Sequence, residues 1–275
     1  MLAPRRKPNK FRPAATLRRR LAIVSVAVAL AAGCGSSGST HTQRRQSPTR
    51  STAAHAVSPS TGTSAVAVTT TGLIATAKSS RVDIYEDPSS STPRVVLPNP
   101  WALNGVSADP IPQVFRVLRK RPDGWVQVEL PQRPNDQTGW IPLREVSLTQ
   151  TPYRIQVSLS AHQITVTDKS AVLYQGPVAT GAAATPTPTG SYYIRVLLRS
   201  SDPNSVYGPF AFGLSAHSDA LTTFSGSDAE IGLHGNNDTS ALGHNVSHGC
   251  IRMDNTAITR LSAILPLGTP VNIVN

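Results

Sequence analysis

The residues with the most chemical potential lie in two short segments. Ile231-Gly232-Leu233-His234-Gly235 comes first, and Ser247-His248-Gly249-Cys250-Ile251-Arg252-Met253 follows, with sixteen residues from His234 to Cys250. Nucleophilic cysteine chemistry needs a thiolate, a base to make it, a group that orients the base, and donors for an oxyanion. A lone cysteine is usually a small buried hydrophobe. Cys250 has a different setting: Gly249 before it allows close backbone approach, two histidines lie nearby in sequence, and Arg252 follows. A charged imidazole beside the thiol would draw its pKa from about 8.5 towards or below neutrality. The backbone N–H groups of Gly249 and Cys250 are the expected oxyanion donors. His248 lies two residues from Cys250, so on an extended strand the two side chains point the same way and meet awkwardly. His234 comes from a separate segment and can approach the sulfur from the side. His248 is then expected to support the loop by hydrogen bonding or to position Ser247. A zinc site built from His234, His244, His248 and Cys250 is the competing use of these residue types, but it leaves Gly235, Gly249 and Arg252 without a role.

The elements that must hold these residues read as β-structure. Tyr153, Ile155, Val157 and Leu159 alternate with Arg154, Gln156, Ser158 and Ser160, and Ile164 and Val166 continue in a second strand. A turn is expected near Asp168-Lys169-Ser170. Thr185-Pro186-Thr187-Pro188-Thr189-Gly190 is a stiff loop leading into Tyr192, Ile194 and Val196. One helix is expected, capped by Asp254 or Asn255, with Ile258, Leu261 and Leu265 as its buried stripe and Pro266 with Gly268 as its stop. Val271 to Val274 reads as a last buried strand. Upstream, Val82-Asp83-Ile84 and Trp125 to Leu130 alternate with period two, and Arg121-Pro122-Asp123-Gly124 suits a hairpin. No dinucleotide or phosphate-loop fingerprint is present, so the fold class is mainly β and no cofactor is expected.

The two chemical segments, with Thr187-Pro188-Thr189-Gly190, Tyr207-Gly208-Pro209-Phe210, Gly213-Leu214-Ser215 and Gly268-Thr269-Pro270-Val271, resemble the L,D-transpeptidase family, also called the YkuD domain. The matches run from Tyr153 to Val274. The passage from Leu130 to Pro142 resembles the small SH3-like barrels found ahead of some wall transpeptidase domains. The implied architecture is a YkuD-type β-sandwich with one short helix over 152–275, preceded by an SH3-like β domain over 73–149 that braces its neighbour or binds wall polymer. The resemblance implies Cys250 as nucleophile and His234 as base, oriented by the carbonyl of Gly235, with Ser247, His248 and Gly249 completing the catalytic loop. It also implies Arg252, Asn237 and Tyr207 as substrate-binding residues, the guanidinium fork of Arg252 taking a stem-peptide carboxylate. His244 reads better as a solvated loop residue. Peptidoglycan stem peptides are the implied partners, and carbapenem-type β-lactams the implied covalent inhibitors. The reaction would be ping-pong acyl transfer giving a 3→3 cross-link, or carboxypeptidation if water is the acceptor. A cysteine peptidase of the NlpC/P60 type places its cysteine before its histidine along the chain; here the principal histidine comes first.

The formal charge of +11 looks like a nucleic-acid signature until it is located. Residues 1–20 carry eight Arg or Lys and 35–72 carry three, while Gly72 to Asn275 holds 15 basic and 15 acidic residues. The part able to fold is neutral, and no nucleic-acid partner is expected. Residues 1–33 have the parts of an export signal: a basic stretch ending Arg18-Arg19-Arg20, an apolar run from Leu21 to Ala32, and small residues. That run rises only ~18 Å as a helix, too short for a ~30 Å hydrocarbon core. Leu30-Ala31-Ala32-Gly33-Cys34 resembles a bacterial lipoprotein box, which implies acylation of Cys34, a membrane lipid anchor and an extracytoplasmic location facing the wall. Cys250 would then be left unpaired, as a thiol kept for reactivity is. Between Gly35 and Gly72, 17 of 38 residues are Ser or Thr and none is aromatic, so 34–72 is expected to be a disordered tether.

Overall fold

The computed structural model describes residues 72–103, 110–224 and 227–275. The leader over 1–33, Cys34 and the tether up to residue 71 lie outside the described residues. Gly72, expected as the end of that tether, already belongs to the fold: its carbonyl accepts the Thr151 N–H at 2.8 Å.

The first half contributes β1 (Leu73–Ala77), β2 (Arg81–Ile84), β3 (Val95–Pro98), β4 (Val114–Lys120), β5 (Trp125–Glu129), β6 (Thr138–Pro142) and β7 (Val146–Gln150). Five of them form one sheet in the order β6-β5-β4-β1-β7, and β2 and β3 pair as a separate ribbon. The expected period-two pattern is visible in β5, which buries Val126 and Val128 and leaves Trp125 and Gln127 half-buried. The turn at Arg121-Pro122-Asp123-Gly124 joins β4 to β5, with Gly124 at φ 87°. Ile84, Phe115, Val126, Val128 and Ile141 sit in the core of this half.

The second half contributes β8 (Tyr153–Ser158), β9 (Gln163–Asp168), β10 (Ala171–Pro177), β11 (Thr180–Gly181), β12 (Gly190–Arg199), β13 (Phe210–His217), β14 (Glu230–His234), β15 (Asn245–Ser247), β16 (Ile251–Arg252), the helix α1 (Asn255–Ser262) and β17 (Pro270–Val274). Eight of these strands form a sheet in the order β10-β9-β8-β17-β12-β13-β14-β16, and β11 and β15 make a small parallel pair. Asp254 caps α1 by accepting the Ala257 N–H at 2.9 Å, and Ile258 and Leu261 are buried. Leu265 is also buried but lies just past the helix. Ile155, Val157, Tyr192, Phe212, Leu233 and Ile258 belong to one continuous core. The mainly β fold with a single α-helix expected from the sequence is what forms among the described residues.

The two sheets touch through apolar and polar contacts. Ile74 of β1 and Val114 of β4 pack on Tyr193 of β12. Gly268, at φ 86°, sits so close that a Cβ there would lie 2.5 Å from Cγ2 of Ile74. Glu129, at the end of β5, is buried and accepts the Ser215 hydroxyl of β13 at 2.7 Å.

Candidate active site

The site is set by a strand register. β14 and β16 run parallel, pairing Leu233 with Ile251 and His234 with Arg252. One step back along both strands brings Cys250 to Gly232, whose N–H donates to Sγ at 3.3 Å. Gly232 and His234 share a face of β14 because side chains alternate. A Cβ at Gly232 would lie 3.5 Å from Cδ2 of His234 and 3.7 Å from Sγ of Cys250, so the ring edge carrying Nε2 and the sulfur flank the same small space. His234 is buried, and its Nδ1 meets the Gly235 carbonyl at 2.6 Å. A carbonyl can only accept, so Nδ1 carries the proton and the neutral ring keeps a lone pair on Nε2. That is the tautomer a base for the thiol requires.

The loop before β16 is tied from inside. Ser247 is buried; its hydroxyl donates to the Cys250 carbonyl at 2.5 Å and accepts the Gly249 N–H at 3.0 Å. Gly249 adopts φ 118°, which favours glycine, and its carbonyl accepts Thr187 Oγ1 at 2.8 Å. The Thr187 hydroxyl in turn accepts the Gly181 N–H at 2.9 Å, so the stiff loop after Thr185 braces the cysteine turn. Gly208, Gly235 and the first helical residue, Asn255, meet closely: a Cβ on Gly235 would lie 2.3 Å from Oδ1 of Asn255 and 3.0 Å from Cα of Gly208.

Burial sets the protonation of the pair. It pushes the His234 imidazole down to about 4; the hydrogen bond to Gly235 opposes this and the charge of Arg252 adds to it. It pushes the Cys250 thiol up, against the Gly232 N–H and Arg252, which both favour the thiolate. Burial thus favours a neutral thiol beside a neutral imidazole at rest, in place of the expected imidazolium beside a depressed thiol. Cys250 still opens on a cavity of about 240 Å³, whose walls include Tyr207, Phe224, His234, His248 and Arg252.

The profile of the L,D-transpeptidase catalytic domain matches residues 152–273. Over 122 residues the chain is 35% identical to the putative L,D-transpeptidase YkuD of Bacillus subtilis, covering 44% of this chain and 66% of that relative, just under two thirds of it. Over 145 residues it is 31% identical to the putative L,D-transpeptidase YqjB of the same organism, covering 49% of this chain and 77% of that relative. The chain belongs to the L,D-transpeptidase family. Among solved structures, an L,D-transpeptidase from Mycobacterium tuberculosis H37Rv is similar at 20% identity and a TM-score of 0.39, over 52% of this chain and 75% of that one. L,D-transpeptidase 3 of the same species, solved with a faropenem-derived adduct, is similar at 19% identity and a TM-score of 0.40, over 55% and 91%.

Within this family member, the site residues expected from sequence divide into two groups. Cys250, His234, Gly235, Ser247 and Gly249 come together as described, and Arg252 and Tyr207 line the same cavity. The Arg252 Nε is buried without a partner among the described residues. Tyr207 tilts over His234 with ring centroids 5.1 Å apart. Two expectations need correction. The Gly249 N–H is consumed by Ser247 and is not free for an oxyanion, whereas the Cys250 N–H has no acceptor among the described residues. His248 is exposed and rests on the Phe224 ring, centroids 5.3 Å apart, and Ser247 is held by main-chain groups. Asn237 is exposed and outside the cavity lining, beside the buried Asn236. His244 is also exposed. Sequence reading gave Gly232 no part beside the sulfur, took Asn255 only as a possible helix cap, and gave Phe224 no role. An isolated glycine between Ile231 and Leu233 in a strand pattern is itself a sign of close approach and could have flagged Gly232. Phe224 sits in a loop with no local signal.

Proposed function

We propose that the chain is a peptidoglycan L,D-transpeptidase that transfers an acyl group through a Cys250 thioester. The observation that carries this reading is the Gly232 step, with Sγ on one side and His234 on the other, its Nδ1 held by Gly235. The donor is a tetrapeptide stem. Cys250 attacks the carbonyl of the L,D bond between the diamino acid at position three and the terminal D-alanine, and its proton passes to Nε2 of His234. Because thiol and imidazole both start neutral, proton transfer accompanies attack rather than preceding it. The amide C–N bond then breaks, and the D-alanine amine leaves with that proton. The side-chain amine of a second stem attacks the thioester, gives up a proton to Nε2, and the thiolate departs and is reprotonated. The product is a 3→3 cross-link; with water in place of the amine, the same thioester gives a carboxypeptidase. Arg252 holds a stem carboxylate, and the Cys250 N–H faces the developing oxyanion. Carbapenem-type β-lactams are proposed to acylate the same sulfur, their strained amide carbonyl taking the place of the stem's.

The basic, apolar and small-residue order of residues 1–33 and the box ending at Cys34 support an exported lipoprotein anchored on the membrane and facing the wall. Residues 73–149 are proposed as an SH3-like domain.

Incubation with a disaccharide-tetrapeptide tests the function. The expected result is D-alanine release with a dimer lighter than two monomers by one D-alanine, both absent in Cys250→Ala. D-alanine without dimer would make the enzyme a carboxypeptidase. Release that survives in Cys250→Ala would remove the thioester mechanism.

A further inference from the structure

The loop between β5 and β6 carries Arg133 and Asn135, and both reach across to the chain that joins β13 to β14. Arg133 donates from Nη1 to the Ser218 carbonyl at 2.7 Å and from Nη2 to the Leu221 carbonyl at 2.7 Å. The same guanidinium reaches the Asp228 carbonyl at 3.0 Å and Asp228 Oδ1 at 3.0 Å. Asn135 donates from Nδ2 to the His217 carbonyl at 2.8 Å and to Asp219 Oδ1 at 3.0 Å, while its Oδ1 accepts the His217 N–H at 2.9 Å. Two side chains of the β5–β6 loop thus make seven hydrogen bonds, two to His217 at the end of β13 and five to the connection that follows it.

That connection is a wall of the active-site cavity. Leu221, Phe224 and Ala229 line it, and Phe224 carries His248 on its ring. The connection leads straight into β14, where Glu230 and His234 line the cavity too. Surface connections of this kind hold the low end of a protein's local stability unless something outside them fixes their shape. Here the fixing groups come from the other sheet. Asp228 is largely exposed, so its ion pair with Arg133 contributes little. The two short bonds to the carbonyls of Ser218 and Leu221 carry the geometry, and only a planar fork reaches both.

We propose that Arg133 and Asn135 are positioning residues that shape the donor-binding wall through Ser218, Leu221 and Asp228, which makes the first sheet a part of the working enzyme and not a passive spacer. This rests on the acyl-transfer reading for what the wall binds, though not for the clamp itself. The nucleophile and base are held by the β14–β16 register and are independent of the clamp.

The full chain and its Arg133→Ala and Arg133→Lys variants are compared for disaccharide-tetrapeptide turnover and for amide hydrogen exchange. The expected result in both variants is a KM raised about tenfold with kcat within about threefold, since losing charged hydrogen bonds at one wall costs roughly one such factor. Exchange at amides 218–224 is expected to speed up about tenfold, with the amides of β14 unchanged. Lysine fails to rescue because it keeps the charge and loses the fork. An unchanged KM with unchanged exchange at 218–224 would overturn the proposal. So would a kcat that falls in step with the folded fraction at constant KM, because that is a purely structural role. If Arg133→Ala does not fold, Arg133→Lys is judged by the same readings. If the wild type releases no D-alanine, the acyl-transfer reading fails on its own, and the exchange comparison alone then decides the clamp.

Discussion

Desolvation moves Cys250 and His234 in opposite directions, and the site's chemistry follows from that. With the imidazole pushed down to about 4 and the thiol pushed up, neither group is charged at neutral pH. Alkylation of Cys250 by iodoacetamide should therefore climb through the alkaline range with one inflection above the ordinary thiol value. No plateau is expected between about pH 5 and 7, the region where a preformed ion pair would give one. Such a plateau in the measured rates would sink the neutral-pair account. That His234 and not His248 would stand beside Cys250 was legible in sequence: a strand-mate two residues away meets the thiol awkwardly, and a partner on another segment does not. The protonation state was not legible, since it depends on burial contributed by residues distant in the chain. Nor was the fate of the Gly249 N–H, which the Ser247 hydroxyl takes in the folded turn. Of the residues expected to meet substrate, Arg252 and Tyr207 line the cavity, and Asn237 is exposed beside the buried Asn236.

Individual strands and the helix were readable from periodicity, as β5, β8, β9, β17 and the Asp254 cap demonstrate. Their pairing was not. The parallel β14–β16 step that brings Cys250 to Gly232 is a non-local register, and alternation within one strand carries no information about its neighbour. Glu129 is a similar case: it follows the buried Val128 and is itself buried, because Ser215 and Arg116 from other strands receive it. Burial raises its carboxyl to about 7 in spite of both partners. The folded state then holds this proton more tightly than the unfolded chain, so the contribution to stability is full below the ordinary carboxyl pKa and is lost as pH rises through about 7. The loss is of order 2 kcal/mol, allowing for the residual pairing with Arg116. Thermal unfolding of Glu129→Gln should accordingly show a Tm that gains on the wild type between pH 5 and pH 8. Parallel Tm curves for the two proteins would refute the assignment.

At the scale of the whole molecule, charge and chemistry are segregated. The basic excess lies before Gly72, and the remainder, which holds both sheets, is balanced. The two sheets meet through Tyr193, Glu129 and the Arg133 loop, contacts made by residues that carry no motif. Sequence could foresee two β regions but not that one would grip a wall of the other's cavity, because a loop arginine looks the same whether it is solvated or docked. On the proposed function, Cys250, deprotonated by His234 during attack, carries the acyl group. Intact mass of the full chain after incubation with a carbapenem measures that most directly. The account predicts a single covalent adduct in the wild type, none in Cys250→Ala, and formation slowed by about 10² to 10⁴ in His234→Ala. An adduct of equal mass on folded Cys250→Ala, or an undiminished rate in His234→Ala, would contradict it.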